Sequence, residues 1–169
     1  MTLEALLELI RQGSIAEDTL VRADDSDWTS ADQVEQIVTG LPLDRERLIQ
    51  EYIGYGEAEI GQENWGWASN RMLSLLRRLP ELAWPITAEL IDRAPSDRSL
   101  EFFAAGPLEQ LLSDHGEQFI ARVEERSAQN SKFKRALGMV ARLRMSEHVW
   151  HRVLAANASS SREASTGEA

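Results

Sequence analysis

The chain has 169 residues, 43% of them hydrophobic, with 28 acids against 18 lysines and arginines and no cysteine. A domain of this size can bury a core without covalent staples, and the lack of thiols excludes disulfides, zinc–thiolate centres and cysteine nucleophiles. The net charge of −10 repels nucleic-acid phosphates and favours solubility and basic partners.

That charge is uneven. Residues 1–40 hold nine acids and two bases, whereas residues 41–157 hold seventeen and fifteen. Leu3, Leu6, Leu7 and Ile10 recur at helical spacing, with Thr2 placed to cap the helix and Gly13 to stop it. Glu4 and Glu8 interrupt the apolar run and no basic region precedes it, so the segment does not read as a signal peptide. Residues 15–21, bounded by Gly13-Ser14 and by Asp24-Asp25-Ser26-Asp27, predict one strand and a tight acidic turn. Trp28 follows, and Ser30 is placed to cap a short helix over residues 32–38. Thr39-Gly40-Leu41-Pro42 marks a boundary.

From residue 43 to 156 the pattern is helical throughout. Leu48, Tyr52, Ile53 and Tyr55 mark a first helix, weakened at its end by Gly54 and Gly56. Trp67, Met72, Leu75, Leu76 and Leu79 mark a second, stopped by Pro80. A third, over residues 80–93, points Ala83, Ile86, Leu90 and Ile91 inward; Pro85 predicts either a kink or a later start. A fourth begins at Ser96 and carries Leu100, Phe103 and Ala104. Gly106-Pro107 punctuates, Leu108, Leu111 and Leu112 continue to about His115, and Gly116 closes that helix. Further helices are expected over residues 117–129 and 132–140, and a last one, capped by Ser146, holds Val149, Trp150, Val153 and Leu154. Short loops between short helices imply antiparallel neighbours and a HEAT-like array. Residues 157–169 lack large apolar groups and are expected to be disordered. No apolar stretch approaches the roughly 20 residues that span a bilayer, and a cytoplasmic location is expected.

Two resemblances attach to these segments. Leu3 to Gly13, then Ile15, Asp18-Thr19-Leu20-Val21 and Trp28, resemble the second half of a bacterial GYF-like domain. The family's N-terminal strands and their aromatic and Gly-Pro signature are missing, so peptide binding is not carried to any residue. Trp65-Gly66-Trp67, Pro80 to Trp84, Arg93-Ala94-Pro95, Phe103 to Glu109, His115-Gly116, Phe119-Ile120 and Phe133 to Leu137 resemble a bacterial domain-of-unknown-function family, number 6869. That resemblance implies a helical fold over about residues 45–155 and no activity. The expected organisation is thus mainly α: a partial α/β GYF-like module over 1–40, a helical domain over 43–156 and a tail.

No catalytic constellation is visible and no cofactor is implied. His148 and His151 share a helix face at i, i+3, but a metal site needs further ligands, and none is assigned. Glu109 falls in a helix's first turn, where the dipole favours an acid, and His115 near a helix end, where a cation is favoured. Sharing one pocket, the two would form a cryptic acid–base site. Lys132, Lys134, Arg135, Arg142, Arg144 and Arg152 form a basic stretch, which an acidic chain is expected to pair internally rather than offer to nucleic acid. Trp65 and Trp67, with Gly66 between them, do not easily face one direction, so one is a candidate groove residue. Trp65, Trp67, Glu109 and His115 are therefore the candidate binding residues. The expected function is a non-enzymatic protein–protein interaction module. The alternatives are an immunity or antitoxin-type protein that neutralises a basic toxin and an enzyme with a Glu109/His115 site.

Overall fold

A computed structural model describes residues 5, 8–9, 20–22, 29–30, 43–58 and 66–158. Ala5, Glu8 and Leu9 are helical, in keeping with the spacing of the first apolar run. Two short strands follow, β1 (Leu20–Val21) and β2 (Thr29–Ser30), paired antiparallel with Leu20 opposite Ser30 and Val21 opposite Thr29. The sequence led us to expect one strand, because nothing around Thr29-Ser30 alternates; the second exists through pairing rather than through its own pattern. The acidic turn, the short helix over 32–38 and the tail from residue 159 lie outside the described residues.

Among the described residues seven α-helices form the body, and their boundaries have local causes. Helix α1 (Arg45–Glu57) starts at Asp44, whose carboxylate accepts from the Arg47 amide. Helix α2 (Trp67–Arg78) ends before Pro80, and that proline opens α3 (Pro80–Arg93) at its first position, where the missing N–H costs nothing. The helix therefore starts at Pro80 and runs through Pro85, whose carbonyl accepts from Arg45. Helix α4 (Asp97–Phe103) has a reciprocal box in which Ser96 Oγ accepts from the Ser99 amide and Ser99 Oγ from the Ser96 amide.

Gly106-Pro107 does not break the chain into separate helices, as the sequence suggested. Residues Ala104–Leu108 form a π-helical turn that joins α4 to α5 (Glu109–Gln129). Pro107 has no N–H for the Phe103 carbonyl, and its ring would crowd that carbonyl in an α-helix; widening the turn relieves both problems. The stop expected at His115-Gly116 is a kink within α5, where His115 has φ −134° and ψ 22°. Asn130 caps α6 (Ser131–Leu137), which ends short of Val140. Ser146 Oγ accepts from the Val149 amide at the start of α7 (Glu147–Ala158), which takes in Asn157 and Ala158 as well.

Most residues that the spacing selects point inward, although Leu154 is 47% exposed and Ile53, Tyr55 and Trp150 are half-buried. Leu48, Ile49, Met72, Leu75, Ile86, Leu90, Phe103, Leu111, Phe119, Phe133 and Val149 are buried in one cluster. Helix α3 is central and packs against α1, α2, α4, α5, α6 and the π turn. Its neighbours are thus not confined to those adjacent in sequence. Helix α7 lies along α5 at a close approach, since a Cβ on Gly116 would stand 2.8 Å from a Val149 methyl. Ion pairs tie the outer faces together: Arg45 to Glu89, Arg93 to Glu46, Arg122 to Glu81 and Arg152 to Glu124. Among the described residues no helix is long and apolar enough to cross a membrane.

Candidate functional site

A cleft of about 340 Å³ opens where α1, α2 and the π turn meet, within the range of small-ligand and side-chain pockets. Helix α1 contributes Tyr52, and α2 contributes Ser69, Asn70, Leu73 and Leu76. The π turn contributes Ala105, Gly106 and Pro107; α5 adds Glu109 and Gln110, and Leu143 comes from the loop before α7.

Tyr52 is 7% exposed, and its ring packs on Tyr55, Phe102 and Phe103 with centroids 5.6–6.1 Å apart. Burial, with a smaller contribution from Tyr55, pushes the phenol up to about 12, so the hydroxyl is neutral at physiological pH. It has no hydrogen-bond partner among the described residues, and it faces Gly106, where an added Cβ would lie 3.8 Å away. Ser69 Oγ is likewise buried and unpartnered.

Glu109 is 7% exposed. The sequence suggested that its carboxylate caps its own helix, but the π turn has removed that role. The Glu109 amide already donates to Ala104 O, so no free helix end exists there. The carboxylate instead serves the loop after α6, where Oε2 accepts from the Ala141 amide at 2.6 Å. Leu143, 63% exposed, stands at the rim with φ 38°, a left-handed conformation that strains a residue carrying a Cβ.

The other candidates go elsewhere. His115 donates its Nε2–H to Leu76 O at 2.9 Å, satisfying a carbonyl in the last turn of α2. It does not line the cleft, whereas Glu109 does, so the structure does not bring the pair together. Trp67 opens α2 half-buried, with the Arg47 guanidinium 4.2 Å above its ring, and is also outside the cleft lining. Trp65 lies outside the described residues.

His148 Nδ1 bonds Glu117 at 3.0 Å, and no group of three or more potential metal ligands exists among the described residues. The basic stretch is engaged internally. Lys132 Nζ donates to the Asp92 and Ala94 carbonyls, Arg135 pairs with Asp97, Arg142 with Glu147, Arg144 with Asp114 and Arg152 with Glu124.

A family model described as a family of unknown function, DUF6869, matches residues 56–161. The chain belongs to that family. The DUF6869 span contains every cleft residue except Tyr52. It lies wholly outside residues 2–38, and the comparisons lend no support to a GYF-like module there. No curated protein and no solved structure matches the chain.

Sequence reasoning found Glu109 and missed Tyr52, Ser69, Gly106 and Leu143. Gly106-Pro107 was the available signal, since a glycine and proline inside an otherwise apolar helical run mark a place where backbone geometry departs from the α-helix.

Proposed function

We propose that this DUF6869 chain is a non-enzymatic protein-interaction module that receives its partner in the cleft beside the π turn. The observation that carries this reading is Gly106. Its φ is not left-handed, and an added Cβ would meet only the Tyr52 hydroxyl, at 3.8 Å. Neither backbone conformation nor close packing requires a glycine there. A glycine within a helix costs about 0.5–1 kcal/mol relative to alanine, and what it preserves is open space in the cleft. The contrast with Gly56 and Gly116 is direct, since added Cβ atoms there would meet neighbouring side chains at 3.0 Å and 2.8 Å. Exposed leucines at the rim, Leu73 and Leu143, add apolar surface of the kind a partner covers. The different anchors of Glu109 and His115 weigh against the acid–base alternative.

This reading leans on the cleft alone. The HEAT-like order expected from the sequence would add a concave face along successive helix pairs, and the module does not need it. A basic toxin is the narrower choice of partner, supported by the net charge of −10; rescue of cells expressing a candidate toxin would test it. The module itself is tested by co-purification of the tagged full chain and its Gly106→Leu variant, which adds bulk to the cleft lining beside the Tyr52 hydroxyl. The wild type should recover a stoichiometric partner that Gly106→Leu loses. Equal recovery by both, or no partner for either, would overturn the assignment.

A further inference from the structure

We infer that the cleft receives a basic side chain, the ammonium of a lysine or the guanidinium of an arginine, presented by a protein partner, with Glu109 as its counter-ion. This rests on the module reading above and assigns the chemistry of its partner.

The Glu109 carboxylate is more than nine-tenths buried, accepts one hydrogen bond, from the Ala141 amide to Oε2, and has no ion-pair partner among the described residues. An ionised carboxylate offers about four acceptor sites. Burying one with a single hydrogen bond is costly unless a cation completes it. Every other described residue in the lining is uncharged, so none of them neutralises Glu109.

A further acceptor lines the same space. Among the described residues the Tyr52 hydroxyl, which faces Gly106, has no hydrogen-bond partner, and its oxygen can accept. With the Glu109 carboxylate it gives a cationic head two kinds of acceptor in one lining, for an ammonium or for part of a guanidinium fork. An anion would meet a buried carboxylate with no cation to offset it. A neutral apolar group would leave these acceptors unsatisfied, at a cost of about 1–3 kcal/mol for each buried group left unpaired.

The remaining wall suits the stem of such a side chain. Leu73, Leu76, Pro107 and Leu143 give an apolar surface leading to the polar groups, and lysine and arginine lay their methylenes along such surfaces while the head finds its charge partner. Leu143, held outward in its left-handed conformation, offers the first apolar contact at the rim. The volume of about 340 Å³ leaves room for one long side chain.

The test is a titration of the uniformly ¹⁵N-labelled full chain with N-acetyl-lysine N-methylamide and with the arginine equivalent. N-acetyl-norleucine N-methylamide serves as the neutral isostere and n-butylammonium as the free amine. At least one basic derivative should shift the Gly106, Glu109 and Leu143 amides saturably, and norleucine should bind at least tenfold more weakly. Glu109→Gln keeps an oxygen for the Ala141 amide, so the rest of its spectrum should stay in place while affinity falls at least tenfold. Tyr52→Phe keeps the ring packing and should weaken binding several-fold, which preserves the test if Glu109→Gln unfolds. Absence of saturable shifts, equal binding of norleucine, or affinity unchanged in both variants would overturn the assignment. Butylammonium binding more tightly than either amino-acid derivative would overturn the protein source in favour of a small amine. If Gly106→Leu abolishes partner recovery while the basic derivatives do not bind, the module stands and the charge assignment falls. If they bind and Gly106→Leu recovers the partner unchanged, the module falls.

Discussion

Gly106 and Gly116 are alike in the sequence and opposite in the structure. A Cβ on Gly106 meets only the Tyr52 hydroxyl, whereas one on Gly116 meets Val149 methyls at 2.8 Å and 3.0 Å, the first closer than real Cβ atoms come. Alanine at Gly106 should therefore raise stability by about 0.5–1 kcal/mol, through the lower backbone entropy of the unfolded chain and better helix propensity. Alanine at Gly116 should lower it by about 1–3 kcal/mol, the usual cost of overpacking, because α7 must shift away from α5. Denaturant midpoints of both variants read this directly. Val149→Ala removes the methyls that clash, so Gly116→Ala in that background should cost less than in the wild type, a coupling that a double-mutant cycle measures. Opposite signs for the two glycines would show that one is retained for space and the other for contact. Glu109 shows the same dependence on surroundings. Its place in a first turn was legible in the sequence, but the atom it serves, the Ala141 amide, is brought to it by the loop after α6.

At the scale of elements, caps carry information that apolar spacing does not. Ser96 closes a reciprocal box with Ser99 and also donates to Glu57 at the end of α1. Ser96→Ala leaves the Ser99 amide without its acceptor and should cost about 1 kcal/mol, the usual value of an N-cap. Urea unfolding followed by far-ultraviolet circular dichroism checks it; an unchanged midpoint would mean that water satisfies the amide equally well. The helices over residues 43–156 were legible because their apolar residues recur every three or four positions and become one buried face. Three features were not. The π turn keeps the chain helical through Gly106-Pro107 by a register slip that no propensity encodes. His115 kinks α5 without ending it, because the chain resumes helical angles at once. Strand β2 has no alternation of its own and is defined by its partner. The cleft was illegible for a related reason. Tyr52, Ser69, Glu109 and Leu143 come from four different segments, and only the packing of α1, α2 and the π turn places them together.

Across the described residues, the basic stretch that the sequence led us to expect paired internally does pair with carboxylates of the body, and other ion pairs join the helices likewise. The pairs join elements distant in sequence: α1 with α3 through Glu46 and Arg93, α3 with α5 through Glu81 and Arg122, α4 with α6 through Asp97 and Arg135, and α5 with α7 through Glu124 and Arg152. Each lies at or near the surface and contributes little alone, so their combined effect is best read from pH. Hydrogen bonds from Arg93, then Gln50, hold Glu46 down to about 2. Glu81 is lowered by Arg122 and then Gln118, Asp97 by Arg135, Glu117 by Ser146 and then His148, and Glu124 by Arg152. A carboxylate whose pKa is lower in the folded than in the unfolded chain stabilises the fold above its unfolded value. That contribution is lost as the pH falls through the folded value. The unfolded values are near 4.5 for glutamate and 3.8 for aspartate. The urea midpoint should therefore change little from these groups between pH 7 and 5, then fall steadily between about pH 4.5 and 2 as the inter-helix pairs are protonated. Glu46→Gln should flatten the lowest part of that fall, because Glu46 is the carboxylate held down to about 2. A midpoint independent of pH below 4.5 would show that the ion pairs between helices do not contribute to holding the body together.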